Sequence, residues 1–294
     1  MSTVAKTIVA TGATSGIGFE LIKQILAHTT PYKFILGARD LAKAQSDYDA
    51  LKFDKSTHNV TLLPMELNNM NSVNGFAKKT LEQLGKSPID FLVLNAGTGM
   101  FKEKAETGPH GSRWIEPYLV NHLSQHYLLH LLCPKLEESK TRVVVVSSGA
   151  VRIVKDTNTL EDAMLSATES EKGVYPATKF IQLLNAHWWR RQLQGKCEVV
   201  AVSPGLIPGT GLARKSGQVI PANMPDAKSI PEGAQSVYAA LTRDDIPSDP
   251  EQIFLTSWGE WWPKDVYGLT LDKSLQDKWS PSKEEIEREE GVTA

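Results

Sequence analysis

The stretch Thr11-Gly12-Ala13-Thr14-Ser15-Gly16-Ile17-Gly18 decides how this chain is read. It follows a β-rich run at residues 7–11 and leads into a segment with helical spacing at residues 16–28. A turn that lets backbone approach a pyrophosphate needs residues without Cβ atoms, which Gly12, Gly16 and Gly18 supply. A helix starting near Gly16 points free N–H groups and the positive end of its dipole at the phosphates. Thr14, Ser15 and Ile17 complete that candidate cradle. A glycine-rich turn alone is a weak signal. Its place at the first strand-to-helix junction of an alternating chain points to nucleotide binding.

The alternation continues outward. Strands are expected at residues 34–38, 60–65, 91–95, 142–148, 198–203 and, more weakly, 252–256. Helices are expected at residues 41–51, 70–84, 114–136, 176–193 and 231–241. Residues 143–146 are a continuous valine run, which suits a parallel strand covered on both faces. Repeated βα units imply an α/β fold of Rossmann type, with one doubly wound parallel sheet of about seven strands. Residues 1–294 read as one domain: a dinucleotide-binding core with the candidate catalytic residues over 3–205, then a lid, substrate loop and C-terminal extension over 206–294. Two irregular stretches break the rhythm, polar residues 153–173 and Gly/Pro/Lys-rich residues 204–230. Long irregular segments in a compact domain tend to be lids or binding loops. The acidic residues 282–290 read as a solvated helix.

The bulk numbers fit an ordinary globular enzyme, with 41% hydrophobic and 22% charged residues among 294. A net charge of −2 gives no field to attract nucleic acid or anionic lipid. Two cysteines make no disulfide framework and suit a reducing compartment. No apolar run is long enough for a membrane span, and residues 1–6 lack the apolar region of a secretory signal, so a cytoplasmic protein is expected.

Roughly twenty residues past the glycine-rich turn, dinucleotide folds place the residue that reads the ribose. Here the chain reads Gly37-Ala38-Arg39-Asp40, with no acid at the end of the strand itself. Arg39 can grip a 2′-phosphate bidentately, which favours NADP over NAD. The competing reading is a solvated loop arginine paired with Asp40. Asn95-Ala96-Gly97 ends the fourth strand in the same crevice, where a small turn lets backbone approach the cofactor.

The sharpest constellation is Tyr175-Pro176-Ala177-Thr178-Lys179. Residues four apart share a helix face, and Pro176 suits the first helical position, so Tyr175 is expected at a helix start. An ammonium and a helix dipole nearby would bring the tyrosine pKa down toward its working range. Such a pair is common on surfaces. Its meaning comes from Val145-Val146-Ser147-Ser148-Gly149 upstream, at the carboxyl end of the fifth strand, where ligands bind in such sheets.

In this order the motifs resemble the short-chain dehydrogenase/reductase family, from the first strand to about residue 212. Ser203-Pro204-Gly205 completes the set. The resemblance implies that the tyrosine, Tyr175, donates or accepts the proton and that Ser148 holds the substrate oxygen. It implies that Lys179 bonds the nicotinamide ribose and lowers the tyrosine pKa. Asn121, in Leu119-Val120-Asn121-His122, matches the asparagine of a water-mediated proton relay. Glu66-Leu67 stands where the family usually has Asp-Leu or Asp-Val on the adenine side. Leu206-Ile207-Pro208-Gly209-Thr210-Gly211-Leu212 resembles the segment of protochlorophyllide reductases and their fungal and retinol-dehydrogenase-like relatives. Gly209 replaces the threonine that in such enzymes contacts the carboxamide, so Thr210 substitutes for it or the contact is lost; Ile207 lies in the same cofactor segment. Tyr175 lies 27 positions after Ser148, a spacing similar to the retinol-dehydrogenase-like branch.

Other signals carry less. His122, His126 and His130 are spaced by four, but one helix stripe rarely completes a tetrahedral site, so no metal is expected. The run His187-Trp188-Trp189-Arg190-Arg191 is expected to pack on the sheet or on a subunit partner, which leaves a homodimer open, rather than on nucleic acid. Trp258, Trp261 and Trp262 read equally as core or as the wall of an aromatic pocket. The reaction expected is reversible hydride transfer between NADP and a small carbonyl or alcohol, largely apolar or aromatic. The rival readings are C=C reduction or redox-neutral chemistry on the same scaffold, and a non-enzymatic NADP-binding sensor.

Overall fold

Valine- and isoleucine-rich runs form seven strands: β1 (Lys6–Thr11), β2 (Tyr32–Ala38), β3 (His58–Pro64), β4 (Phe91–Leu94), β5 (Arg142–Val146), β6 (Glu198–Val202) and β7 (Phe254–Leu255). The computed structural model describes residues 5–99, 108–165, 171–213, 221–224 and 226–293. All strand pairings are parallel, in the order β3-β2-β1-β4-β5-β6-β7. The chain leaves β1 toward β2 on one side and returns to β4 on the other. That reversal opens a crevice at the carboxyl ends of β1 and β4, where open α/β sheets take their ligands. Strand β7 is shorter than the run expected at 252–256.

Helices cover both faces. On one, α1 (Gly16–Leu26), α2 (Leu41–Asp49) and α8 (Ile230–Thr242) pack Leu21, Ile22, Tyr48 and Val237 against Ile8, Phe34 and Val144. On the other, α3 (Met70–Leu84), α5 (Ser124–Ser139) and α7 (Glu171–Gln192) pack Phe76, Leu128 and Ile181 against Val9, Leu92 and Val143. Alternate residues of β1 and β5 therefore face opposite cores, as the pleat requires.

Two helices depart from the expected boundaries. The helix expected over 114–136 is α4 (Glu116–Tyr118), a π turn over Leu119–Leu123, and then α5. Gln125 fills part of the hydrogen-bonding loss, donating from Nε2 to the Val120 carbonyl at 3.0 Å and the Ala96 carbonyl at 2.9 Å. Helix α7 begins at Glu171, so Pro176 lies inside it and Tyr175 is not at its start. A proline's φ is already helical, so inside the helix it forfeits its own N–H bond.

A C-terminal extension covers α5 and α7. It contains α6's ion-pair partner Lys278, on α9 (Lys273–Lys278), and α10 (Lys283–Glu289); α6 itself is Leu160–Leu165. The tail is not simply a solvated helix: Ile286 is buried, and Tyr127 donates to Glu287 at 2.8 Å. The histidine row acts here as a buried clamp. His122 Nε2 lies 2.9 Å from the Trp279 carbonyl and His126 Nε2 lies 2.8 Å from that of Pro281. Asn185 and Trp189 both donate to His126 Nδ1 at 2.9 Å, which makes Nε2 the protonated nitrogen. Trp189 thus packs within the chain, and no cluster suited to a metal ion occurs among the described residues.

Burial holds His122 and His187 in the neutral form, pushing each pKa from 6.5 down to about 3. As pH falls below about 6.5 the unfolded chain takes up protons that the native chain refuses, so stability is lost as pH falls. Between pH 7 and 5 the loss should be on the order of 2 kcal/mol for His122. We predict that His122→Gln, which keeps a donor for Trp279 but cannot titrate, shows a shallower acid loss in urea unfolding at those two pH values. An identical acid loss in variant and parent would remove His122 from the account.

Candidate active site

The turn after β1 is locked to the turn after β4. Gly12 has φ +64°, and a Cβ on it would stand 2.6 Å from Ala96 Cα. Thr11 Oγ1 accepts from the backbone N–H groups of Asn95 and Ala96, both at 3.1 Å. The Asn95 amide donates to the Gly12 carbonyl at 2.8 Å. A Cβ on Gly18 would lie 2.3 Å from both that amide nitrogen and the Gly12 oxygen. Gly18 is therefore a packing glycine behind the cleft wall. Tyr48 completes the lock from α2, donating to the Ala13 carbonyl at 2.7 Å. Neither Tyr48 nor Gln125 was legible as a site residue, because their partners are backbone carbonyls that only the folded chain brings near.

A cavity of about 650 Å³ runs along this crevice. Gly12, Thr14, Ser15, Gly16 and Ile17 line one end with Arg39, Glu66 and Leu67. Asn95, Ala96, Gly97, Ser148, Tyr175 and Lys179 line it too, with Pro204, Gly205, Ile207 and, beside Gly16, Thr210. Gly18 and Asn121 are the expected residues that do not line it.

The first end fits a dinucleotide. Ser15 is the N-cap of α1 yet its side chain caps nothing, so the first N–H groups of the helix stay available toward the cavity. Gly16, at φ +55°, keeps that approach clear, with only the Thr210 side chain within 4 Å of a Cβ placed there. Arg39 is exposed at the cavity rim and makes no ion pair with Asp40. Asp40 instead caps α2, accepting from Lys43 N at 2.9 Å.

Ser148 follows β5 by two residues and caps the 3-10 turn Gly149–Ile153, accepting from Ala150 N at 3.1 Å. Burial raises the Tyr175 pKa, and the Ser148 hydroxyl beside it pulls it back. The lysine was expected to lower it, yet Lys179 Nζ donates to the Val146 carbonyl at 2.9 Å and to Gln182 at 3.0 Å. It stands 6.0 Å from the Tyr175 ring centroid, and burial depresses its own pKa to about 7. The helix dipole helps less than expected too, because the start of α7 lies more than a turn away.

Asn121 sits fully buried behind Gly97. Its Oδ1 accepts from Thr98 N at 2.7 Å, and its Nδ2 donates to the Thr98 carbonyl at 2.8 Å and Thr178 Oγ1 at 2.9 Å. Trp262 and Trp258 line the far end beside Ser148, while Trp261 packs away under Arg243. Arg152 joins that wall, a residue without a recognisable sequence signal.

Residues 6–159 match the family model described as short chain dehydrogenase. The chain is 54% identical over 294 residues to a short-chain dehydrogenase/reductase of Pestalotiopsis microspora, covering 97% of this chain and 99% of that protein. It is 28% identical to retinol dehydrogenase 12 of Mus musculus, covering 86% and 80% of the two chains. The fold is similar to that of an NADPH-bound carbonyl reductase from chicken fatty liver, at a TM-score of 0.65, 19% identity, and coverage of 88% and 98%. With its parallel sheet, its glycine-rich turn at the sheet's reversal and these relatives, the chain belongs to the short-chain dehydrogenase/reductase family.

Proposed function

We propose that this enzyme is an NADP-dependent reductase of aldehydes or ketones, working reversibly on a small, largely apolar or aromatic substrate. The observation that carries the reading is that Tyr175 and Ser148 line one cavity with Lys179 and the uncapped start of α1. Ser148 holds the substrate oxygen and Tyr175 delivers a proton to it. NADPH, when bound, supplies the hydride that reaches the carbonyl carbon, so the product is the alcohol. Lys179 would hold the nicotinamide ribose from its place in the cavity lining. Asn121 is a positioning residue that fixes Gly97 and Thr98 against Thr178, beside Lys179. Arg39 takes the 2′-phosphate, for which its guanidinium has no competing carboxylate at Asp40.

Residues 204–230 form the lid of this reading. Leu206 bridges to Ala227, and Lys228 ties the segment to the Ser257 carbonyl at 2.5 Å. A Cβ on Gly99 would stand 2.4 Å from the Leu212 carbonyl, so the segment already meets the β4 side of the cleft. Gly217, Val219 and Ile220 of the expected lid lie outside the described residues. Closure would exclude water from the hydride.

These assignments yield separable outcomes. Tyr175→Phe should keep NADPH affinity while kcat for aldehydes falls at least about 100-fold; near-parental turnover would place the proton donor elsewhere. Arg39→Ala should weaken NADPH binding by about tenfold or more and leave NADH nearly unaffected, read by fluorescence titration. Equal losses for both cofactors would exclude the 2′-phosphate role. Hydrogen exchange over residues 206–220 should slow when NADP and a substrate analogue bind together. Unchanged exchange there, with the Gly12–Gly18 turn protected, would show that the segment is not a lid.

A further inference from the structure

Arg152 sits on the turn that begins beside Ser148 and faces the same cavity. Its Nε donates to the Gly149 carbonyl at 3.0 Å, and its guanidinium carbon stands 4.7 Å from the centroid of the Trp262 ring. Those two contacts fix the group and leave its Nη donors uncommitted. Glu116 and Asp226 also line the cavity, but no carboxylate pairs with Arg152 among the described residues. A cation so placed keeps its charge for a ligand.

The surface beneath it is aromatic. Trp262 is buried and stacks on Phe254 at 5.3 Å and 20°. Trp258 continues the stack at 6.2 Å and 29°, yet is 64% exposed. A hydrogen bond from its Nε1 to Glu260 at 3.1 Å orients the indole. Gly149 makes room for this: a Cβ there would stand 3.3 Å from both Arg152 Nη2 and Trp262 Cη2. Arg152 lies four positions after Ser148, and both side chains line the same cavity with Trp258 and Trp262.

We propose that Arg152, Trp258 and Trp262 form a substrate-selecting subsite for a flat aromatic carbonyl compound that carries a carboxylate. The ring lies along the Trp258 face, the carboxylate takes the Nη donors of Arg152, and the carbonyl reaches Ser148 and Tyr175. This specificity rests on the reductase reading, but its binding component can be tested apart from turnover.

The first arm compares kcat/KM with NADPH for 4-carboxybenzaldehyde and its methyl ester, methyl 4-formylbenzoate. The parent should prefer the acid by about tenfold or more, the scale of a charged hydrogen bond. In Arg152→Ala the acid-to-ester ratio should fall toward unity, and Arg152→Lys should restore part of it. The second arm measures binding of 2-naphthoate and 2-naphthamide by calorimetry, which needs no reaction. The naphthoate should bind about tenfold more tightly in the parent and lose that advantage in Arg152→Ala. An acid preference that is absent, or unchanged in Arg152→Ala, overturns the subsite even where aldehydes are reduced. An Arg152-dependent naphthoate preference without reduction of either aldehyde would support the subsite and overturn the reductase reading.

Discussion

Gly12 and Ala96 meet backbone to backbone at the carboxyl ends of β1 and β4, and the rest of the cleft depends on that approach. A single methyl group on Gly12 would stand 2.6 Å from Ala96 Cα, a distance at which the two turns must part. The approach is held from three directions: Thr11 Oγ1 on the Asn95 and Ala96 amides, the Asn95 side chain on the Gly12 carbonyl, and Tyr48 on the Ala13 carbonyl. These bonds are buried or nearly so, where losing one partner strands the other at a cost of about 1–3 kcal/mol. They also account for the uncapped start of α1. With the turn fixed by its neighbours, Ser15 need not cap the helix, and the free N–H groups face the cavity.

The half of the site around Tyr175 and Lys179 is fixed by a second polar network. Asn121, turned inward by the π turn, joins Thr98 beyond β4 to Thr178 on α7, one residue from Lys179. Farther along α7, Asn185 and Trp189 converge on His126 of α5, which in turn holds the C-terminal extension through Pro281. The helix that carries Tyr175 and Lys179 is thus clamped between α5 and the extension. Within this clamp, burial works on the two candidate groups in opposite senses, raising the phenol pKa and bringing the ammonium down to about 7. Desolvation penalises whichever form is charged, so both groups are drawn toward neutrality.

Much of this was legible because its signal is local. The valine run of β5, the glycines of the first turn and the Tyr175/Lys179 spacing are patterns over a few residues, and each lands where the pattern places it. Boundaries were less legible where two local preferences compete. Pro176 reads as a helix start, yet α7 begins at Glu171, since a proline inside a helix forfeits only part of the hydrogen bonding. The histidine row reads as a possible ligand stripe or as core, and its meaning waited on the carbonyls of Trp279 and Pro281, more than 150 residues away.

The sequence by itself determined the parallel α/β architecture and the order of motifs along the cleft. Period, glycine placement and residue chemistry act at short range and survive without knowledge of the fold. Only the tertiary structure decided which of those residues face the cavity. It put Gly18 and Asn121 behind the wall, freed Arg39 from Asp40, split the three late tryptophans between pocket and packing, and brought Arg152 over Trp262. Each of those outcomes depends on contacts between segments distant in the chain, or on which of two available partners a side chain takes. Such choices are settled by packing, where a shift of one ångström exchanges one partner for another.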